Sequence, residues 1–433
     1  MTFIHMKEDN DHRGMEPDMQ LRMINSKRFL SISVVLFFLF LNNSCKQQGI
    51  EGLSCVDGRP VRVGVKNGKI TRVKNLLRLT DKDNHMYIAP GLIDNQVNGF
   101  AGVSFSLAGG ELTVEGVKQV TRSLWEYGVT SYLPTLTTND RGVLIANLSV
   151  LLKAKNEQDL LGSIPGFHLE GPYISPVDGY RGAHPKMFVR PPDWEEFMEL
   201  YEASGRNILT VTVAPEIAGA LDFIKRCSEK GIIVALGHHN ASAAIIDEAV
   251  KNGARICTHL GNGCANMINR HKNPLWPQLA RDELMISIIC DGVHLLPEEI
   301  MVFYKVKGTD KTIITSDVTS YATLPPGEYI TPEGDTIELT TDQMLYYPAQ
   351  NVLYGSASPI TRGVGHIMEV TGCSLADAIR MASTNPAKLY GLTDRGTIEK
   401  GKRADLILFT VENSVIRIHK TYVQGKLVYQ EIK

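Results

Sequence analysis

The chain has 433 residues, a length that allows one large α/β domain and a smaller companion domain. Its 43% hydrophobic and 21% charged residues are ordinary for a globular protein, and the net charge is −2. This near-neutral balance argues against nucleic acid as a partner, because nucleic-acid binding needs a concentrated basic surface. The seven cysteines are scattered without a CxxC pair, so neither a disulfide framework nor a cysteine zinc site is expected.

The N-terminal segment does not have the pattern of a folded domain. Residues 1–22 are polar and unpatterned and are interpreted as an over-long gene model, with Met23 as a better start. Residues 23–45 have a basic start, an apolar stretch too short to span a bilayer comfortably, and Cys45 directly after Ser44. This pattern predicts a signal peptide and a periplasmic lipoprotein tethered to the membrane by a lipid on Cys45. An uncleaved anchor is the alternative, and a chain without a working signal would stay in the cytoplasm.

Both ends of the remaining chain are rich in predicted strands. "VDGRPVRVGVKNGKITRV" alternates apolar and polar residues around a turn at Asn67-Gly68, which is typical of a β-hairpin. The C-terminal stretch "ADLILFTVENSVIRIHKTYVQGKLVYQ" has similar patterning around Gln424-Gly425. We therefore predict a small β-sandwich domain formed by residues 46–88 and 386–433.

The middle of the chain, residues 89–385, is predicted to be a (β/α)8 barrel of the TIM type, giving an α/β fold overall. Apolar runs alternate with helical patterns such as "LTVEGVKQVTRSLWEYG" and "ASAAIIDEAVKNG". Several of these runs end on a residue able to bind a metal or transfer a proton: Glu170, His238, His259 and Asp317. Because barrel enzymes build their active sites at the carboxyl ends of the strands, this placement predicts an enzyme.

The same four residues predict a catalytic metal site. Glu170 and two histidines on different strands would supply three ligands and leave a position open for water, as in catalytic zinc sites. Asp317 would take the proton of that water and pass it to a leaving amine. Zn²⁺ is the default ion, one per subunit, although this ligand set also suits Fe²⁺, Co²⁺ or Mn²⁺. His238 and His239 are adjacent, and strand alternation allows only one of them into a common site without choosing which.

A series of motifs resembles one family along the chain from about residue 52 to its end. These are "APGLIDNQVNG", "GFHLEGPYISP", "RGAHP", "GHHNA", "CTHLGNG", "CDGVH", "TSDVTS", "YGSASPI" and "STNPAKLYGL" with "GTIEKGKRADLILF". Taken in order, they resemble the N-acetylglucosamine-6-phosphate deacetylases of the amidohydrolase superfamily. The resemblance implies hydrolysis of the acetamide of N-acetylglucosamine 6-phosphate to glucosamine 6-phosphate and acetate.

The resemblance also assigns roles to individual residues. It implies Glu170, His238 and His259 as metal ligands, Asp317 as the catalytic acid and base, and His184 as the residue that steadies the substrate carbonyl. Further substrate-binding positions match Asn262, Gly263 and His294. Arg270 matches an arginine that reaches the phosphate bound by a neighbouring subunit, which implies a homodimer. Where many amidohydrolases have H-x-H for a second metal, this chain has Gln96-Val97-Asn98, so a mononuclear site is expected.

Two features of the sequence leave the substrate open. The loop after Asn262, "NGCANMINRHKNPLWPQLA", departs from the family pattern around Arg270, and residues 320–350 form a Tyr- and Pro-rich segment expected to cover the site as a loop and hairpin. Sugar phosphates are cytoplasmic metabolites, which conflicts with the predicted export. The alternative substrate is a non-phosphorylated N-acetyl amino sugar, hydrolysed by an exported lipoprotein. A catalytically inactive, glycan-binding barrel is the third hypothesis.

Overall fold

The computed structural model describes residues 48–81, 85–106, 111–331 and 334–432. The predicted N-terminal extension, signal peptide and Cys45 lie outside the described residues. In chain order the strands are Gln48–Ser54 (β1), Pro60–Lys66 (β2), Lys69–Asn75 (β3), Tyr87–Pro90 (β4), Leu92–Val97 (β5), Gly99–Phe100 (β6), Val103–Ser104 (β7), Val129–Thr137 (β8), Phe167–Glu170 (β9), Ile208–Val213 (β10), Ile233–Leu236 (β11), Ala254–Cys257 (β12), Met285–Ile289 (β13), Thr312–Thr315 (β14), Gly327–Ile330 (β15), Thr336–Leu339 (β16), Leu345–Tyr347 (β17), Val352–Leu353 (β18), Leu406–Glu412 (β19), Val415–Val423 (β20) and Lys426–Gln430 (β21).

The helices follow the pattern of a strand–helix repeat. In chain order they are Val114–Glu126 (α1), Arg141–Lys155 (α2), Trp194–Ala203 (α3), Ala220–Glu229 (α4), Ala243–Lys251 (α5), Leu275–Ala280 (α6), Pro297–Lys311 (α7), Ile360–Thr371 (α8), Leu375–Ile379 (α9) and Asn385–Leu389 (α10), with a π-helical turn at Arg380–Thr384 and 3₁₀ turns at Gln158–Leu160 and Lys186–Phe188. Side-chain caps fix several starts: Thr113 accepts from Gly116 N at α1, and Ser242 accepts from Ile245 N at α5.

Eight parallel strands form the barrel, in the order β5, β8, β9, β10, β11, β12, β13 and β14. Their residues are almost entirely buried, as expected for parallel strands covered by helices. The seam between β5 and β14 has no continuous backbone ladder. It is closed instead by an isolated bridge between Val97 and Val318 and by Asp94, whose Oδ1 accepts from Thr315 Oγ1 and Ser316 N, both at 3.1 Å. The predicted barrel is confirmed.

The two ends of the described chain form a seven-stranded sheet in the order β21, β20, β19, β4, β1, β2 and β3. All neighbours are antiparallel except β1 and β4, and the turns predicted at Asn67-Gly68 and Gln424-Gly425 join β2 to β3 and β20 to β21. The sheet folds back on itself: Ala404 N donates to Gly68 O at 2.9 Å. The predicted β-sandwich is confirmed, whereas the predicted domain boundaries at residues 88/89 and 385/386 stay predictions.

The Tyr- and Pro-rich segment forms a small antiparallel sheet rather than a single hairpin. Strands β15, β16, β17 and β18 pair in sequence order, and their inward side chains build a separate apolar cluster that includes Ile337, Leu339 and Leu345. This sheet, residues 327–353, is called the lid below. It lies beyond the carboxyl end of β14, so it stands at the end of the barrel where barrel enzymes bind their substrates.

Candidate metal centre and active site

The backbone places three of the predicted site residues in the same unusual way. His238, His259 and Asp317 are each the second residue after a strand, following β11, β12 and β14. Each has a left-handed backbone, with φ of 54°, 27° and 53°, which non-glycine residues adopt only at a cost in conformational energy. Such backbone strain is concentrated at functional sites, where the surrounding structure holds it in place. The positions of these side chains are therefore imposed by the ends of the barrel strands.

Glu170, the last residue of β9, lies at the centre of the site. Its Oε1 is 2.9 Å from His259 Nε2 and 3.3 Å from His238 Nε2, and all three side chains are buried. Burial would raise the pKa of Glu170, but the close contacts of the His238 and His259 nitrogens, together with the charge of His259 and His184, outweigh it and hold the pKa well below its ordinary value. A buried carboxylate of this kind is stable only beside cations.

The hydrogen bonds of His238 fit a metal ligand. Its Nδ1 is 3.0 Å from the carbonyl oxygen of Tyr180, which can only accept, so Nδ1 carries the proton. Nε2 then presents a lone pair toward Glu170 Oε1, another acceptor. Two acceptors facing each other in a buried site call for a proton or a cation between them, and metal-bound histidines have this tautomer with this kind of carbonyl contact. The donor set thus fits a divalent ion.

His184 approaches the same point with the opposite tautomer. The backbone N–H of Thr138 lies 3.4 Å from His184 Nδ1, which must accept from it, and Thr138 Oγ1 is 2.9 Å away. Nε2 therefore carries the proton and lies 3.3 Å from His238 Nε2. By distance alone, Glu170, His184 and His238 form a ligand group within 4.8 Å. The tautomers distinguish these residues: His184 presents an N–H donor at Nε2, whereas His259 Nε2 lies with His238 Nε2 beside Glu170 Oε1.

Asp317 completes this group of side chains. It lines the same cavity, and its Oδ1 accepts from Gln96 Nε2 at 2.8 Å and from Asn98 Nδ2 at 2.7 Å. Burial and the negative charge of Glu170 raise the pKa of Asp317 to about 6, against the opposing influence of His259 and Asn98. A carboxyl group with such a pKa can take up and release a proton near neutral pH.

The site opens into a cavity of about 810 Å³, bounded on one side by the lid. Asn262 lines it, and Asn262 Nδ2 is a buried donor without a partner among the described residues. His294 also lines it, with Nδ1 held 2.8 Å from Asp291 Oδ2. Gly263 leaves no room for a side chain, because a Cβ there would lie 2.8 Å from His238 N. The cavity is large enough for a small polar ligand with several groups.

The charge of the cavity wall is negative. Among the described residues that line it, none is a lysine or an arginine, whereas Glu111 and Glu299 both line it. Arg270 lies on an exposed part of the loop after Asn262 and does not reach the cavity of its own chain. The structure therefore brings every predicted site residue to the cavity wall except Arg270 and Gly263, and Gly263 lies next to the backbone of His238.

Sequence reasoning missed several residues that hold the site together. Gln96 and Asn98 were identified only as replacements for metal ligands, yet they bind Asp317. Arg181 is buried and donates to the carbonyl oxygen of His184, and also to Oε1 of Gln350 in the lid at 3.3 Å. Arg181 is the first residue of the motif "RGAHP", but this motif was used to identify His184 only. An arginine three residues before His184, inside the same motif, was the signal that could have indicated this contact.

The comparisons with known proteins agree with this geometry. The model of the amidohydrolase family matches residues 87–428. The chain therefore belongs to the amidohydrolases, the class that a barrel carrying a Glu/His site at its strand ends defines.

Individual relatives narrow the class. The N-acetylglucosamine-6-phosphate deacetylase of Danio rerio is 32% identical over 85% of this chain and 92% of its own, and that of Bacillus subtilis is 31% identical over 82% and 90%. The solved N-acetylglucosamine-6-phosphate deacetylase of Thermotoga maritima matches with a TM-score of 0.76 and 26% identity, covering 88% of this chain and 99% of that one. Within the amidohydrolases, the chain belongs to the N-acetylglucosamine-6-phosphate deacetylase family and is a C–N hydrolase acting on linear amides.

The predicted location, a membrane-anchored periplasmic lipoprotein, is wrong. The matching relatives are named as deacetylases of a sugar phosphate, a type of metabolite that does not suit export. The only basis for the predicted location was the short apolar segment before Cys45, which lies outside the described residues. Within the described part of the chain, no helix has both the length and the apolar character needed to cross a bilayer.

Proposed function

We propose that the protein is a mononuclear metal-dependent deacetylase that converts N-acetylglucosamine 6-phosphate to glucosamine 6-phosphate and acetate. The observation that carries the proposal is the convergence of Glu170, His238, His259, His184 and Asp317 on one cavity, with tautomers and protonation suited to distinct roles. Membership of the deacetylase family supports the choice of an acetamide as the bond cleaved.

Glu170, His238 and His259 would hold the ion, for which Zn²⁺ is our proposal, with Fe²⁺, Co²⁺ or Mn²⁺ compatible with the same donors. When bound, the ion supplies a water activated near neutral pH and polarises the acetyl carbonyl. Asp317 takes the proton of the attacking water at Oδ2, because its Oδ1 is occupied by two amides, and then delivers that proton to the departing amine. His184 donates from Nε2 to the carbonyl oxygen, and Asn262 and His294 orient the sugar.

Recognition of the 6-phosphate is proposed to come from a second copy of the chain. No cation lines the cavity among the described residues, so a phosphate bound there needs a positive charge from elsewhere. Arg270 stands exposed on the loop after Asn262 and is free to reach a neighbouring protomer in a homodimer. A dimer-dependent phosphate site is therefore part of the proposal.

A second candidate substrate is the non-phosphorylated N-acetyl amino sugar. The negative charge of the cavity wall favours this substrate, because Glu111 and Glu299 would repel a phosphate unless Arg270 of a partner compensates. Both candidates use the same chemistry at the acetamide, and they differ only in the group at C6.

The deciding experiment measures acetate release from N-acetylglucosamine with and without the 6-phosphate, using the metal-loaded protein. A kcat/KM at least about tenfold higher with the phosphate, lost in Arg270→Ala, supports the first candidate. Equal or better turnover of the unphosphorylated sugar, unchanged in Arg270→Ala, supports the second. No acetate from either sugar, from a protein with one bound metal ion per chain, would leave the inactive glycan-binding barrel as the remaining hypothesis.

A further inference from the structure

The end of strand β5 carries two amide side chains that converge on a single carboxylate oxygen. Gln96 Nε2 and Asn98 Nδ2 donate to Asp317 Oδ1 at 2.8 and 2.7 Å, and Asn98 Nδ2 also lies 3.3 Å from the carbonyl oxygen of Asp317. Gln96 is fully buried. No hydrogen bond joins either amide to Glu170, His238 or His259 among the described residues. These two side chains therefore bind Asp317, the proposed proton-transfer residue, and form no hydrogen bond with the predicted metal ligands.

Two donors on one oxygen leave the carboxylate asymmetric. An amide N–H can donate but cannot accept a proton from Asp317, so protonation at Oδ1 would displace a hydrogen bond in a buried site. Oδ2 is left as the atom available to accept a proton. The pair also opposes rotation of the carboxyl group, since a turn that exchanges the two oxygens would break both bonds.

The strand that carries the amides is itself fixed to the strand that carries Asp317. Asp94 Oδ1 accepts from Ser316 N and from Thr315 Oγ1, both at 3.1 Å, and lies 3.4 Å from Gln96 N. Asn98 N donates to Val318 O at 2.8 Å. The amides and their target therefore belong to one hydrogen-bonded unit across the barrel seam, with little freedom to separate.

We infer that Gln96 and Asn98 are positioning residues that hold Asp317 with Oδ2 turned toward the substrate, in place of the metal-ligand pair found at this position in other amidohydrolases. The inference deepens the proposed function and rests on it for its kinetic part. A side chain that acts through Asp317 changes the rate of the proton-transfer step and has little influence on substrate affinity or on bound metal.

The test uses Gln96→Leu and Asn98→Leu, which keep approximate size and remove the donors, in the full-length metal-loaded protein. We expect kcat to fall about 10- to 100-fold, with KM changed less than about 3-fold and metal content unchanged. Introduced into Asp317→Asn, the same substitutions should alter the residual rate less than about 2-fold, because the residue through which they act is gone. Asn95→Leu is the matched control: its amide is in the same strand but bonds to Tyr390.

Two kinetic outcomes would overturn the inference. One is a rise in KM with kcat intact, which would make the amides substrate-binding groups. The other is an equal loss of rate in the wild-type and Asp317→Asn backgrounds, which would make their effect independent of Asp317.

A readout without turnover separates this inference from the proposed function. Crystal structures of the metal-loaded wild type and Asn98→Leu should show the Asp317 carboxyl group turned by more than about 30° in the variant. An unchanged carboxyl group would overturn the inference. If the wild type releases no acetate, the proposed function fails, and the carboxyl orientation still decides whether the amides position Asp317.

Discussion

His238 and His239 have identical side chains and adjacent positions but opposite surroundings. His238 lines the cavity beside Glu170, whereas His239 is buried behind the site, where its Nδ1 accepts from Ala241 N at 3.2 Å. Burial lowers the pKa of His239 to about 4, so it remains neutral and packs as a polar core residue. The left-handed backbone at His238 directs the chain so that only the first of the pair enters the site.

Substitution of these two residues should separate metal binding from packing. We expect His238→Ala to lose most of the bound metal, because one of the three proposed protein ligands is removed, and His239→Ala to retain nearly one ion per chain while unfolding at a lower temperature. Elemental analysis of the purified variants, normalised to protein concentration, measures the first effect, and thermal unfolding the second. Equal metal loss in both variants would contradict the assignment of His238.

The convergence of Glu170, His238, His259 and Asp317 on one cavity was predictable from the sequence because these side chains end apolar runs. The motif resemblance then chose between His238 and His239, which strand alternation could not do. The tautomers of His184 and His238 were not predictable, since they depend on Thr138 and Tyr180, which lie far away in sequence. The partners of Gln96 and Asn98 were hidden for the same reason: Asp317 is more than two hundred residues away.

At the scale of elements, closure of the barrel depends on a side chain. Strands β5 and β14 meet without a continuous ladder, and Asp94 joins them through one carboxylate oxygen. Its other oxygen, Oδ2, is buried without a partner among the described residues. Burial raises the pKa of Asp94 from 3.8 to about 6 despite the hydrogen bonds from Ser316, Gln96 and Thr315. The seam is thus most stable when Asp94 is protonated.

Asp94→Asn should alter the pH dependence of stability. Between pH about 4 and about 6 the unfolded wild type ionises at this residue while the folded form stays protonated, so its stability declines by up to about 3 kcal/mol as pH rises. Asn keeps the accepting oxygen and cannot ionise. The unfolding free energy of the variant should therefore increase relative to that of the wild type across that interval, and the difference should stay constant at higher pH. Urea unfolding midpoints at a series of pH values measure the difference. Parallel profiles from pH 4 to 7 would contradict the prediction.

Some helices were predictable from the sequence, whereas the strands of the lid were not. Its residues lack a long alternating pattern, and its strands have only two to four residues each, so the sequence indicated a hairpin where four strands form. The lid core, including Ile337 and Leu345, exists only once these strands pair. By contrast, α1 and α5 fall inside the predicted helical segments, because a polar cap and a clear amphipathic period mark both.

At the scale of the whole described molecule, β19 connects the sandwich to the barrel. Its side chains alternate between two cores: Leu406 and Leu408 pack in the sandwich, and Ile407 and Phe409 pack in the cluster that includes the barrel. The sheet built from both chain ends is therefore a structural part of the barrel rather than an appendage.

Phe409→Ala should destabilise the whole molecule without altering the chemistry. Phe409 is fully buried and is not among the residues that line the cavity, so we expect a loss of about 3–5 kcal/mol in unfolding free energy, with kcat and KM near wild type at low temperature. Val415→Ala, at an exposed position of β20, is the control and should change stability by less than about 0.5 kcal/mol. Chemical unfolding measures both, and a selective loss of turnover in folded Phe409→Ala would refute the prediction.

The left-handed backbone at Asp317 implies a conflict between durability and activity. Asparagine adopts this conformation more readily than most residues, keeps an oxygen that can accept from Gln96 and Asn98, and removes a buried carboxyl group that is repelled by Glu170. Asp317→Asn should therefore melt at a higher temperature than the wild type while losing turnover. A screen for thermal resistance alone would drive this enzyme toward inactivity at the residue on which its proposed chemistry depends.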